Sequence, residues 1–65
     1  MTPTELAVEI WGSSHDHSRS WGSRTVRKAA RQLYGAQFKQ WDFSRVQASE
    51  IRALISRKGW HPPAA

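Results

Sequence analysis

Apolar residues recur along this chain at helical spacing in three stretches, each closed by a glycine. Leu6, Ala7, Ile10 and Trp11 form the first stripe, with Glu5 and Glu9 turned away from it. The residues before it read as a helix start. Thr2 can cap, Pro3 suits the first helical position, and Glu5 stands where a capping box places a carboxylate. Gly12 is the stop. A helix of about ten residues is marginal alone in water, so it has to dock on a neighbour.

The second stretch, SRTVRKAARQLYG, is predicted as a helix running from a Ser23 cap to Gly35. Val26, Ala29, Ala30, Leu33 and Tyr34 fall on one face, and the small alanines permit close approach of another helix. Arg24, Arg27, Lys28 and Arg31 fall on the opposite face. No acid on this helix could pair with them at i,i+4. The third stretch opens with a second capping-box pattern, Ser44-Arg45-Val46-Gln47, and is predicted to run to Lys58. Ala48, Ile51, Leu54 and Ile55 give its inner face, with Val46 at its start. Arg57 and Lys58 in the last turn complement the helix dipole. Gly59 stops the helix, and Trp60 is expected to pack back on the last turn.

Between the first two helices, Ser13–Gly22 (SSHDHSRSWG) lacks periodicity and reads as a polar loop, with Trp21 folded onto the core. Ala36–Phe43 places three aromatics among polar residues, which favours extended structure: a short wing-like segment or an irregular loop covering the core. On a strand, Trp41 and Phe43 would share a face and Phe38 would not. Only Lys39 is interleaved with these rings, so burial is expected over an exposed stacking platform. The expected fold is mainly α: a compact three-helix domain over residues 1–60 with a flexible tail at 61–65.

Composition narrows the function. The chain has 65 residues, enough for one small core, and no cysteine. Disulfides and thiolate metal sites are thereby excluded. Four tryptophans, two phenylalanines and a tyrosine supply the bulk that a small unstapled core needs. Ten Lys and Arg stand against five Asp and Glu, a net charge of +5. That balance points to a polyanion: DNA, RNA or an anionic membrane surface. The start, MTPTELAVEIWG, lacks signal-peptide character, and no stretch approaches the ~20 apolar residues of a membrane span. A soluble, cytoplasmic protein is expected. His15-Asp16-His17, with His61, invites a metal reading, but nothing fixes three or four ligands with supporting partners. An exposed loop with histidines titrating near pH ~6.5 is the expectation, with no metal or other cofactor. No nucleophile–base set, paired carboxylates or phosphate loop is present, so no enzymatic activity is expected.

ELAVEIWG, a turn, and then SRTVRKAARQLYG resemble the helix-turn-helix of excisionase- and MerR-type proteins. Those proteins pair an ELA…G first helix with a TVRK second helix. QWDFSRVQASEIRAL is similar to small helix-turn-helix domains of actinobacteria and their phages, in which a tryptophan-containing wing precedes the last helix. The likeness spans roughly residues 2 to 55 and is one of residue types. It implies a helix-turn-helix fold that binds double-stranded DNA, as a small transcriptional regulator, an excisionase or an architectural factor. Arg24, Arg27, Lys28 and Arg31 would be its contacts. Arg24 and Arg27 are then candidates for guanine, and Thr25 for a neutral contact. Arg19, Lys39, Arg45 and Arg52 are further candidate DNA contacts outside that stripe. One departure stands out: about ten residues separate Gly12 from Ser23, where three or four are usual. Either the turn is expanded or the second helix is placed differently.

A competing reading makes the same basic face a docking surface for an acidic protein partner. A membrane-surface helix is disfavoured, because the inner face of the second helix is alanine-rich where such helices carry Trp, Phe and Leu. No heptad seam supplies a dimer, and the oligomeric state stays open.

Overall fold

Both predicted capping boxes close, and they set where the outer helices begin. In a computed structural model that describes residues 1–12 and 17–62, with 17–19 described by backbone alone, α1 spans Pro3–Trp11. The Glu5 amide donates to Thr2 Oγ1 at 3.2 Å, and the Thr2 amide donates to Glu5 Oε1 at 2.7 Å. That second bond, received from the Thr2 backbone, holds the Glu5 carboxyl below its ordinary range. α3 spans Arg45–Lys58 and starts the same way. The Gln47 amide donates to Ser44 Oγ at 3.1 Å, and the Ser44 amide donates to Gln47 Oε1 at 2.9 Å.

α2, Ser23–Tyr34, begins differently from its prediction. Gly22 has α-helical backbone angles, no side chain caps the helix, and Ser23 is buried. The reason is that His17–Gly22, expected as loop, is π-helical and runs directly into α2. The donors that a cap would satisfy already have a preceding helical turn. Only residues 13–16, which lie outside the described residues, separate Gly12 from this helical run. Its Trp21, half-buried, packs on Trp11 of α1, ring centroids 4.8 Å apart.

α2 is the central helix, touching both α1 and α3. Val26, Ala29 and Ala30 are fully buried and meet Leu6 and Ala7 of α1 and Ile51, Leu54 and Ile55 of α3 in one core. With so little side chain at two of these positions, the neighbouring backbones can close in. Two predicted core positions fall outside. Val46 is 68% exposed; at 3.6 residues per turn it lies roughly 140° around α3 from Ile51. Leu33 is also exposed. In the last turn of α2 the packed residue is Tyr34, which meets Phe38 and donates to Glu50 Oε1 of α3 at 2.5 Å.

Residues 35–44 cross the core without forming a strand, and no strand occurs among the described residues. The wing is thus an irregular covering segment. Phe38, Trp41 and Phe43 contact one another, with centroids 5.6 to 6.4 Å apart, so the alternation expected of a strand does not apply. Phe43 is buried, while Phe38 and Trp41 line the core edge. The Phe43 amide donates to the Met1 carbonyl at 2.7 Å, tying the segment to the first residue.

α3 ends on Gly59 at φ 70°, ψ 25°, the left-handed conformation that glycine adopts without a Cβ penalty. The Gly59 amide donates to the Ser56 carbonyl and the Trp60 amide to the Ile55 carbonyl. That is the Schellman pattern, and it folds Trp60 back against the core. Of the predicted tail, only His61 and Pro62 are among the described residues. The radius of gyration is 10.8 Å, close to the ~11 Å of a compact chain of this length.

Candidate nucleic-acid interface

Burying Val26, Ala29 and Ala30 turns the opposite side of α2 outward. Arg24, Lys28 and Arg31 are exposed there, within roughly 60° of one another around the helix axis. Arg27 sits at the edge of this face, half-buried, in neither of the ion pairs formed among the described residues. Arg24 Nε donates to the Ser20 carbonyl at 3.4 Å, a long bond back to the π-helical turn.

Two of these cations have aromatic neighbours that sequence spacing did not reveal. Lys28 Nζ lies 4.7 Å from the centroid of the Trp60 ring. Arg31 Cζ lies 5.3 Å from that of Trp41. The signal for Trp60 was half present, since a hydrophobic residue after a glycine stop packs back. Which helix it meets depends on the tertiary arrangement.

The acidic side chains are engaged elsewhere. Glu9 accepts from Arg52 at 2.7 Å. Asp42 pairs with the Met1 ammonium at 2.8 Å, and this hydrogen bond holds its carboxyl low and raises the ammonium. Glu5 is in its capping box, and Glu50 holds the Tyr34 hydroxyl. Burial first, and then the Glu50 hydrogen bond, push the Tyr34 phenol up to about 12. The fifth acid, Asp16, lies outside the described residues, as does His15 of the triplet weighed as a metal site.

The remaining predicted contacts scatter. Thr25 is 8% exposed; it sits beside the buried stripe and presents almost no surface to a partner, contrary to expectation. Arg52, expected as a DNA contact, is the cation that Glu9 neutralises. Arg45, the first residue of α3, is exposed and edges a groove of about 440 Å³ between α1 and α3. Lys39 is exposed in the covering segment, and Arg19 belongs by its backbone to the π-helical turn. The predicted stripe is thus brought together as one surface; of the cations outside it, Arg45 and Arg52 share the groove between α1 and α3.

No described helix is long and apolar enough to cross a membrane. Comparison with protein-family models, with curated proteins and with solved structures finds no match to this chain.

Proposed function

We propose that this chain binds double-stranded DNA through the outer face of α2, as a small regulatory or architectural factor. The observation that carries the reading is an exposed Arg24/Lys28/Arg31 face whose charge no described acid cancels. Exposed cations gathered on one helix face form the electrostatic footprint of a polyanion-binding surface. The short connection from Gly12 to the helical residue His17 supports a helix-turn-helix arrangement better than the ten-residue loop expected from composition. Phosphate contacts supply most of the affinity here. Base reading is confined to the N-terminal part of the helix, where Arg24 stands and where Thr25 is withdrawn.

The test is binding to a short duplex as a function of salt. Three phosphate contacts give a roughly 40-fold loss of affinity between about 50 and 200 mM salt. In the triple variant Arg24→Gln, Lys28→Gln, Arg31→Gln, folded by circular dichroism, binding at low salt should collapse and the salt dependence should flatten. Unchanged binding in that variant would rule the face out. Saturable one-to-one binding of an acidic protein, with no affinity for duplex of any length, would transfer the face to a protein partner.

A further inference from the structure

An ion pair cancels a charge, whereas a cation over an aromatic ring keeps it, because the ring offers only a quadrupole. The structure uses both kinds of neighbour, and on the α2 face it uses rings. Trp60 is fixed by the Schellman closure of α3 and carries Lys28 over its ring. Trp41 is fixed by edge contacts to Phe38 and Phe43 and carries Arg31. Long, exposed basic side chains ordinarily sample many rotamers and lose that freedom on binding. Here the ring partners are themselves packed against the core.

Building on the reading that α2 meets duplex DNA, we infer that Trp60 and Trp41 are positioning residues that hold Lys28 and Arg31 as a pre-ordered charged pair for backbone phosphates. The two cations are i,i+3 neighbours on one helix face. A ring takes up none of their charge, and the side of an ammonium away from the ring stays open to a phosphate oxygen. The same contacts favour phosphate recognition over base stacking. A stacking platform offers its aromatic face to a base, and each of these indoles already meets a cation of its own chain.

A double-mutant cycle on the whole chain tests this, using a short duplex and a single strand of the same sequence. Trp60→Leu keeps apolar bulk and Trp60→Phe keeps a ring. Trp60→Leu should weaken duplex binding about two- to fivefold, and Trp60→Phe should recover most of that. In a Lys28→Gln background, Trp60→Leu should cost nothing further. Equal losses with and without Lys28 would overturn the inference, because the indole would then act directly or only through the fold. Unchanged or tighter binding by Trp60→Leu would overturn it too, the ring then being idle or holding the ammonium away. So would a Trp60-dependent preference for the single strand that ignores Lys28. In the unmodified protein, the Lys28 ε-methylene protons should show an upfield ring-current shift, and ordinary solvent-exposed shifts would refute the pairing without any substitution. Wild-type protein that binds neither oligonucleotide removes the DNA reading together with the inference. Wild-type binding that is indifferent to Trp60 removes the inference alone.

Discussion

The outer face of α2 and the groove between α1 and α3 both carry exposed arginines, but Arg52 in the groove and the pair Lys28 and Arg31 on α2 have opposite kinds of neighbour. In the groove, Arg52 is matched by Glu9 of the facing helix at 2.7 Å, each about half exposed. On α2, Lys28 and Arg31 are matched by indoles. A carboxylate neutralises its partner, and a ring only orients it. The difference teaches that counting cations along a sequence does not locate a basic surface. What matters is which of them keep their charge once the chain has folded.

The most severe way to break the comparison is to remove what holds the two surfaces apart. Phe43 is 3% exposed, lies beneath the groove and contacts both Phe38 and Trp41. Phe43→Ala should cost ~3–5 kcal/mol, comparable to the whole stability of a domain this small. Thermal or urea unfolding should show little cooperative transition. A native-like melt would mean that the covering segment is not part of the core.

Single-charge substitutions sharpen the comparison without unfolding the chain. Lys28→Gln should reduce the steepness of the log K against log salt plot for duplex binding by about 0.9. Arg52→Gln should leave that slope where it was, since its ion pair with Glu9 already answers its charge. Equal changes in slope from the two substitutions would erase the distinction between the surfaces. Direct effects on stability should be small in both, because exposed pairs contribute ~0.2–1 kcal/mol.

The smallest effect concerns Tyr34, which joins the end of α2 to α3. Its phenol is raised from 10 to about 12 in the folded chain, by burial and by its hydrogen bond to Glu50. A raised value favours the protonated, neutral form in the native state. The stabilisation is therefore complete below pH ~10 and is lost as pH rises through about 12. Urea unfolding across this range should show a decline that is shallower in Tyr34→Phe. Identical pH dependence in the two proteins would mean that neither burial nor the Glu50 bond perturbs the phenol in solution.

Much of the helical framework was legible along the chain because its causes are local. Thr2/Glu5 and Ser44/Gln47 satisfy amides three residues away, so both capping boxes can be read from spacing alone. Gly59 and Trp60 likewise announce a helix end. Where local signals were ambiguous, packing decided. The polar, small-residue stretch before Ser23 looks like turn material, yet its described part is helical and is anchored by Trp21 on Trp11. Propensity is a weak preference that one aromatic packing contact can outweigh. Val46 was misplaced for a simpler reason, since strict helical angles put it away from Ile51.

The basic stripe of α2 was itself visible in the order of residues, because Arg24, Arg27, Lys28 and Arg31 repeat at the helical period opposite Val26, Ala29 and Ala30. Its surroundings were not. Trp60 lies 32 residues from Lys28, Trp41 ten from Arg31, and Glu9 43 from Arg52. Periodicity carries no information about such pairs, which exist only once three helices share one core. Sequence alone thus determined α1 and α3 with their ends, the C-terminal end of α2 and the side of α2 that is charged. The tertiary structure alone decided that Thr25 is withdrawn, that Arg52 is neutralised, and that two indoles stand beside the cations that keep their charge. Helix formation and capping act over one turn of backbone, whereas the retention of charge depends on neighbours that only folding brings near.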